Sequence, residues 1–311
     1  MRLKILKLMK YVVTGGAGFI GKNIVKLLIK QNHEIEVVDN LHSGKLSNLE
    51  EIKDQIKFHE CDILDFNKME EICKDVDGVF HQAALTVVQD SYKKKEEYYK
   101  VNVNGTENIF SLAKKYNFKV VFASSSSIYG NTNSIPITED FNRNPINPYG
   151  QTKLEDEYLA EKFWSMGVEI IGLRYFNVFG KDQNISYAGV ITKFLERILK
   201  NQPPKIFGNG NQIRDFVFVE DVAQANIDGM KNNIKKGFFN VGTGNTISIK
   251  EIAEHMLKIT KNNMKPIYLD PLEGDILQSQ ADIQNIKNEL KWMPKKGLKE
   301  WLDETIPQLK K

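Results

Sequence analysis

Residues 14–21 read Thr-Gly-Gly-Ala-Gly-Phe-Ile-Gly, and this stretch decides the fold of the chain. It follows an apolar run at 11–13 and precedes a helical pattern, so it predicts a glycine-rich turn from a first strand into a first helix. Gly15 permits a tight turn, Gly18 lets a ligand approach the backbone, and Gly21 lets the helix pack closely on its strand. The free N–H groups of the first helical turn would face an anion. The stretch therefore predicts a site for the pyrophosphate of a dinucleotide.

Asp39 indicates which dinucleotide the site would hold. It ends a second predicted strand, 34–39, and stands about 20 residues beyond the glycines. A carboxylate at this point can accept hydrogen bonds from the adenosine ribose hydroxyls, whereas it would repel a 2′-phosphate. Lys45 follows nearby and is interpreted as a solvated loop lysine. The sequence therefore predicts NAD, rather than NADP, as the cofactor.

The composition is typical of a globular chain. Of 311 residues, 43 are Lys or Arg and 40 are Asp or Glu, which gives a formal net charge of +3. This balance favours neither a nucleic acid nor a membrane as a partner. Cys61 and Cys73 are too few for a disulfide framework, and no metal site is predicted. Because no apolar stretch could span a bilayer and residues 1–10 lack the apolar core of a secretory signal, we predict a cytoplasmic protein.

Strand-like runs alternate with helical patterns through the first half of the chain. This alternation predicts an α/β fold, a Rossmann-type doubly wound parallel sheet with helices on both faces. Beyond residue 177 the rhythm loosens, and only 237–241 has the pattern of another sheet strand. We predict an NAD-binding domain over 9–176, which also takes the strand near 237–241. A smaller carboxyl-terminal lobe, mainly 177–311, would bind the substrate in the crevice between them.

Tyr149 and Lys153 open a predicted helix and are candidates for catalysis. Residues four apart share a helix face, so the lysine ammonium can lie beside the phenol and stabilise the phenolate as a base. Ser125, in a run of serines at 124–127, follows a predicted strand and would present its hydroxyl to the same crevice. Each feature alone is also typical of a solvated helix or a turn. Together on this scaffold they predict a catalytic site.

The chain resembles the extended short-chain dehydrogenase/reductases, and within them the nucleotide-sugar epimerases that act at C4 of UDP-hexoses. The likeness runs from Lys10 to near Leu302. Besides the glycine turn and the Tyr149–Lys153 pair, the motifs that carry it are Asp39-Asn40, Cys61-Asp62-Ile63, His81-Gln-Ala-Ala84, Asn102-Val-Asn-Gly-Thr106, the serine run, Leu173-Arg-Tyr-Phe-Asn177 and Arg214-Asp-Phe.

This resemblance implies a reversible NAD-dependent epimerisation at C4 of a UDP-hexose, with UDP-glucose and UDP-galactose as substrates. Tyr149, as a phenolate, would take the proton from the C4 hydroxyl, and Ser125 would hydrogen-bond the same oxygen. Hydride would pass from C4 to NAD and return to the other face of the 4-keto sugar. NAD would therefore be regenerated within each cycle.

The glycine motif and the resemblance together assign two sets of contacts. The cofactor set is Gly15, Gly18, Phe19, Ile20, Asp39, Asn40, Asp62, Ile63, Ala83, Ala84, Asn102, Tyr149, Lys153, Tyr175 and Phe176. The substrate set is Ser125, Ser126, Tyr149, Asn177, Val190, Ile206, Phe207, Arg214, Asp275 and Ser279. In the second set, Arg214 would pair with the diphosphate and Asp275 with the uridine ribose. For Val190 and Ile206 a plain packing role stays open.

Two positions bear on which sugar nucleotide is accepted. Leu272 stands where the family usually carries an arginine, so the resemblance implies either weaker nucleotide-sugar binding or a lysine that substitutes from elsewhere. Ser279 stands where these epimerases tend to carry a bulky residue if only plain hexoses fit. Its small side chain implies room for an N-acetyl group, so UDP-GlcNAc and UDP-GalNAc join the expected substrates.

Other functions on the same scaffold compete with this reading. A UDP-glucuronate 4-epimerase stays open, whereas related dehydratases and decarboxylases carry acidic residues where this chain has Ser126 and Ser127. Non-catalytic dinucleotide sensors commonly lack the tyrosine or the lysine of the catalytic pair. The helices predicted over 92–116 and 151–164 match those through which relatives pair, which implies a homodimer.

Overall fold

The structure, a computed structural model, describes residues 8–132, 134–181, 183, 189–272 and 274–309. Residues 1–7, to which the sequence assigns no function, lie outside this part. At its centre is a seven-stranded parallel sheet of Lys10–Thr14 (β1), Glu34–Asp39 (β2), Lys57–Glu60 (β3), Gly78–His81 (β4), Lys119–Ser125 (β5), Ile170–Tyr175 (β6) and Lys236–Val241 (β10). The strand order is β10-β6-β5-β4-β1-β2-β3. The predicted doubly wound α/β fold is confirmed.

Helices cover both faces of this sheet. Phe19–Lys30 (α1) and Val219–Lys231 (α8) pack on one face. Phe66–Cys73 (α2), Gly105–Tyr116 (α5) and Pro148–Trp164 (α6) pack on the other. The neighbours Val12 and Val13 on β1 are both fully buried but join different hydrophobic clusters, because successive side chains of a strand point to opposite faces. Burial on both faces explains the nearly continuous apolar runs of the predicted strands.

Shorter elements join these, among them 3₁₀ segments at Leu46–Asn48, Glu50–Gln55 and Ser126–Tyr129. The further helices are Val88–Lys93 (α3), Lys95–Tyr98 (α4), Val190–Leu199 (α7), Ile249–Ile259 (α9), Gln284–Glu289 (α10) and Leu298–Leu309 (α11), and a π-helical segment at Tyr99–Asn104 joins α4 to α5. Within the described ranges, no helix has both the length and the apolar character needed to cross a membrane.

The carboxyl-terminal part contains two small sheets of its own. One joins Asn177–Phe179 (β7), Ile213–Phe218 (β9), Thr246–Ser248 (β11) and Gln278–Ser279 (β13), and the other pairs Lys205–Phe207 (β8) with Ile267–Leu269 (β12). The expectation of a single late strand was therefore wrong. These strands have two to six residues, and β9 carries adjacent charged side chains, Arg214 and Asp215. Pairing between distant segments, which leaves little local pattern, defines them.

A buried ion pair fixes α6 on the sheet. Arg174 of β6 donates from Nε and Nη2 to the two carboxylate oxygens of Glu157, each at 2.8 Å, and both side chains are inaccessible to solvent or nearly so. Ser124 Oγ donates to Glu157 Oε1 at 2.7 Å. Arg143, which is half-buried, adds a bond of 3.1 Å to Glu157 Oε2. Because Ser124 adjoins Ser125, this network sets the position of α6 relative to the end of β5.

We expect Glu157→Gln to lower the free energy of unfolding by about 3–5 kcal/mol, because it leaves the buried Arg174 guanidinium without its counter-ion. Urea denaturation followed by circular dichroism would measure the change. The matched control is Glu161→Gln on the same helix: Glu161 also pairs with Arg143, at 2.9 Å, but is 41% exposed. The control should change stability by less than about 1 kcal/mol. Equal effects of the two variants would contradict the prediction.

Candidate active site

A cavity of about 940 Å³ opens at the carboxyl edge of the large sheet. It lies where parallel strands of this fold class place their ligands. The predicted residues that line it are Gly15, Gly18, Phe19, Ile20, Asp39, Asn40, Asp62, Ile63, Ala83, Ala84, Ser125, Tyr149, Lys153, Tyr175 and Phe176. The structure thus brings the glycine turn, the acidic strand end and the tyrosine–lysine pair to one cavity.

The glycine turn has the close packing that its sequence predicts. Gly15 has φ +65°, and a Cβ there would lie 2.8 Å from the backbone nitrogen of Ala83. A Cβ on Gly21 would lie 2.2 Å from the carbonyl oxygen of Gly15. Helix α1 begins after Gly18, and in the described structure no side chain caps its first turn. The backbone N–H groups at this helix end therefore suit the pyrophosphate of a dinucleotide.

The side chain of Asp39, at the carboxyl end of β2, is held in place by two backbone hydrogen bonds. Its Oδ2 accepts a hydrogen bond from the Ala17 backbone at 3.0 Å, and its Oδ1 accepts one from the Leu41 backbone at 2.8 Å. Burial raises the pKa of Asp39, although both backbone bonds oppose the rise. Asn40 Nδ2 donates to Asp62 Oδ2 at 3.0 Å, which ties the ends of β2 and β3. This fixed carboxylate can accept ribose hydroxyls and would repel a 2′-phosphate. Lys45 also lines the cavity but is exposed to solvent, so the residues present fit NAD.

The reactive end of the cavity is organised by the start of α6. Asn147 caps the helix, because its side-chain oxygen accepts from Gly150 N at 2.8 Å. Lys153 Nζ lies 3.0 Å from Asp156 Oδ2. Burial works to lower the pKa of Lys153, but Asp156 and Tyr149 outweigh it and leave this pKa raised, so the side chain is an ammonium. A cation therefore lies beside the phenol of Tyr149, as the spacing predicts.

Ser125 presents its hydroxyl to the same region. Its Oγ accepts from the backbone nitrogen of Ser127 at 3.1 Å and donates to Ser127 Oγ, also at 3.1 Å. Its backbone is paired with Tyr175 across β5 and β6. The hydroxyl is thus oriented by a local turn, and it can donate to a substrate oxygen once Ser127 releases it.

Asn102 is placed differently from the other residues of the cofactor set. Its fully buried side chain accepts from Leu85 N at 2.8 Å, and it donates to Leu85 O and Thr152 Oγ1, both at 3.0 Å. It does not contribute to the described lining of the cavity. It supports the cavity from behind, because it joins the loop after β4 to α6 next to Lys153.

A second cavity, of about 320 Å³, adjoins the first, and Val178 and Gln183 line both. Arg214 Nη2 lies 2.6 Å from Asp275 Oδ1 in its wall, and Gln212 Nε2 donates to Asp275 Oδ2 at 3.1 Å. The predicted residues that line it are Asn177, Val190, Phe207, Leu272, Arg214 and Asp275. The cavity therefore holds a guanidinium and a carboxylate that already bind each other.

Three residues of the substrate set lie outside the described linings of both cavities. Ile206 is fully buried in the hydrophobic cluster of the lobe, because alternation along β8 turns Lys205 and Phe207 to the second cavity and Ile206 away from it. Ser279 is buried, and its backbone is paired with Arg214. Ser126 is half-buried in the turn after β5.

Gln212 and Lys205 line the second cavity although the sequence did not single them out. A signal existed for Gln212, because it stands two residues before Arg214 and so shares its side of an extended chain. For Lys205 nothing local distinguishes it from the many solvated lysines of the chain. His81 belongs to a motif of the resemblance but was given no function of its own: its ring bonds Thr14 Oγ1 at 2.7 Å and Thr106 Oγ1 at 3.0 Å, which links the glycine turn to α5.

A dinucleotide-binding sheet whose ligand cavity also holds a tyrosine–lysine pair defines a dinucleotide-dependent enzyme. The family model of the NAD dependent epimerase/dehydratase family matches residues 11–242, and the chain belongs to that family. The predictions of the family and of NAD as cofactor are confirmed.

Relatives resemble the chain over nearly its whole length. A candidate UDP-glucose 4-epimerase of Methanocaldococcus jannaschii is 40% identical over 304 residues, which cover 96% of this chain and 98% of its own. The crystal structure of a UDP-glucose 4-epimerase from Thermotoga maritima, with UDP-glucose, has 35% identity and a TM-score of 0.92. The match covers 97% of this chain and 98% of that one. A UDP-N-acetylglucosamine 4-epimerase from Methanobrevibacter ruminantium, in complex with UDP-N-acetylmuramic acid, has 37% identity and a TM-score of 0.91, with 98% and 99% coverage.

Proposed function

We propose that this protein catalyses the reversible, NAD-dependent C4 epimerisation of UDP-hexoses and interconverts UDP-glucose and UDP-galactose. The observation that carries the proposal is the placement of Tyr149, Lys153 and Ser125 in a cavity that fits NAD and adjoins a second cavity with Arg214 and Asp275. The likeness to the Thermotoga maritima enzyme supports it.

The chemistry that bound NAD supplies is reversible hydride exchange at C4 of the sugar. In the forward half, the Tyr149 phenolate takes the proton of the C4 hydroxyl, and the Lys153 ammonium stabilises the phenolate before that transfer. Ser125 donates a hydrogen bond to the same sugar oxygen, which becomes a ketone. Tyr149 keeps the proton and returns it to that oxygen in the second half. The cycle therefore releases no net proton.

In the second cavity, Arg214 would bind the diphosphate, Asn177 would hydrogen-bond it, and Asp275 would accept the uridine ribose hydroxyls. Leu272 leaves this cavity without the additional arginine usual in the family. Lys205, which lines the same cavity, supplies a second cation. We propose it as the substituting lysine.

We expect Leu272→Arg to lower the KM for UDP-glucose about tenfold, because a charge-assisted hydrogen bond to phosphate contributes about 1.5 kcal/mol. Initial rates at varied substrate concentration would measure it. Leu277→Arg is the matched control: Leu277 is exposed and does not contribute to the described lining of either cavity, so its KM should stay at the parent value. An unchanged KM in Leu272→Arg would show that position 272 does not face the diphosphate.

The proposed function is tested by incubating the purified protein with UDP-galactose, without added NAD, and separating the products by chromatography. UDP-glucose should accumulate. We expect UDP-GlcNAc and UDP-GalNAc to interconvert as well, since the Methanobrevibacter ruminantium relative is a UDP-N-acetylglucosamine 4-epimerase. Turnover of UDP-glucuronate alone would instead favour a UDP-glucuronate 4-epimerase. A dehydrated product would favour a dehydratase, and a decarboxylated product would favour a decarboxylase. An absence of turnover with every UDP-sugar would favour a dinucleotide sensor.

We further propose that the protein is a cytoplasmic homodimer, with residues 9–176 mainly binding NAD and 177–311 mainly the sugar nucleotide. In support of a dimer, Tyr99 beside α5 and Tyr158 on α6 are 50% and 45% exposed, which leaves aromatic surface on the two helical segments expected to pair. Sedimentation equilibrium should give twice the chain mass of 35.7 kDa.

A further inference from the structure

The Lys153 ammonium has a buried counter-ion on its own helix. Asp156, one turn further along α6, lies 3.0 Å from Lys153 Nζ, and the two side chains are 0% and 4% exposed. The second oxygen of Asp156, Oδ1, has no hydrogen-bond partner of good geometry in the described structure. A buried carboxylate with an unpaired oxygen is costly, so a plain structural function does not explain it well.

The other ionisable groups around the pair do not balance the Lys153 charge. Glu157, the next residue, is already neutralised by Arg174 and Arg143. On β4, His81 is uncharged near neutral pH, because burial lowers its pKa to about 3. From α5, the Thr106 hydroxyl lies close enough to Asp156 to help lower the pKa of that carboxyl, but it is uncharged and donates to the carbonyl oxygen of Asn102. On β6, burial raises the pKa of Tyr175, which also interacts with Tyr149, so Tyr175 is uncharged near neutral pH. The charged or titratable groups that act together here are therefore Tyr149, Lys153 and Asp156.

We propose that Asp156 is a positioning residue that fixes the Lys153 ammonium beside Tyr149 and partly neutralises its charge, so that the tyrosine can return its proton in the second half of each cycle. This inference rests on the proposed function, in which Tyr149 acts first as a base and then as an acid.

Asp156 acts on the combined charge of Tyr149 and Lys153, whichever of the two loses the proton. Tyr149 and Lys153 together change from a charge of +1 to 0 when one proton leaves, and a neighbouring negative charge favours the +1 state. Asp156 supplies that charge at neutral pH, because burial raises its pKa only to about 6. A group that must both take and return a proton works best when both its forms are accessible at the working pH. A Lys153 ammonium without a counter-ion would favour the Tyr149 phenolate so strongly that the return of the proton to the sugar would be slowed.

The test is Asp156→Asn in the NAD-bound enzyme, assayed with UDP-galactose across the pH range. The acidic limb of kcat/KM should shift to lower pH by about one unit, because the negative charge that retains the proton is gone. The pH midpoint of Tyr149 ionisation should also move to lower pH. It would be measured from tyrosinate absorbance, as the difference between Asp156→Asn and the double variant that also carries Tyr149→Phe. The matched control is Glu155→Gln, one residue earlier on the half-exposed side of α6, which should leave the limb in place.

The outcomes separate the inference from the proposed function. If the acidic limb of kcat/KM stays at the wild-type pH in Asp156→Asn while Tyr149→Phe is inactive, the inference is overturned and the proposed function is left intact. An active Tyr149→Phe enzyme would overturn the function itself. If the asparagine variant does not fold, Asp156→Thr offers the same loss of charge in a small polar side chain, and the same shift is expected. Asp156→Glu, which keeps the charge, should keep the limb nearer the wild-type position than either neutral variant.

Discussion

Tyr149→Phe should lower kcat for UDP-galactose about a thousandfold, with the fold and the bound NAD retained. The ring stays, so packing is conserved, but the variant lacks the hydroxyl that we propose removes and returns the C4 proton, a contribution of about 10²–10⁴ in rate. Chromatographic assay of UDP-glucose formation would measure the rate, and absorbance of the protein would measure retained NAD. The loss should appear in kcat far more than in KM, because the hydroxyl acts on the reaction step.

Tyr158→Phe provides the control for Tyr149→Phe on the same helix. Tyr158 is 45% exposed and its ring faces the guanidinium of Arg143, so it lies away from the cavity. Removing its hydroxyl makes the same chemical change and should leave kcat within about twofold of the parent, as is usual for exposed sites. A kcat for Tyr149→Phe within tenfold of the parent would mean that another group transfers the proton.

Gly21→Ala should prevent stable NAD binding and lower the free energy of unfolding by about 3 kcal/mol. The added Cβ would lie 2.2 Å from the Gly15 carbonyl oxygen and 2.7 Å from Gly16 Cα, and both are backbone atoms that cannot turn aside as a side chain can. The turn must open, which moves the N–H groups of α1 that face the pyrophosphate. Urea denaturation and the NAD released from the denatured protein would measure the two effects.

Gly297→Ala tests whether Gly21→Ala acts through this close contact. A Cβ at Gly297 has no atom within 4 Å, and the backbone there does not need a left-handed conformation. We expect no loss of NAD and a change in stability of less than about 0.5 kcal/mol. If Gly21→Ala retained both NAD and stability, the turn would be more adaptable than its packing indicates.

The sequence predicted most reliably those features that depend on local chemistry. The glycine turn needs its residue types at fixed spacing, so a dinucleotide site that holds NAD could be inferred from residues 14–21 together with Asp39. Tyr149 and Lys153 could be paired from helix periodicity alone, since their separation is one turn. In each case one short segment contains all the required information.

Features that depend on distant pairings could not be read in this way. Which side of β8 faces the second cavity follows from its pairing with the distant β12, so Lys205 was missed and Ile206 was wrongly expected beside Phe207. Asp156 lies within the same helix as Lys153, but only its burial distinguishes it from the exposed acids of the chain. Burial is a property of the whole fold, and it separates a counter-ion from a solvated carboxylate.

The Arg214–Asp275 ion pair affects which kind of ligand the second cavity would bind most tightly. A complete nucleotide offers phosphate to the guanidinium and hydroxyls to the carboxylate, so both partners of the divided pair regain hydrogen bonds. If free uridine divided the pair, Arg214 would be left without a counter-ion. If free pyrophosphate divided it, Asp275 would be left without one, and each case costs one uncompensated charge. Under the proposed function, the affinity for the joined molecule would therefore exceed what its two halves give separately. The cavity would then select molecules in which nucleoside and phosphate are joined, because both ends are required at once.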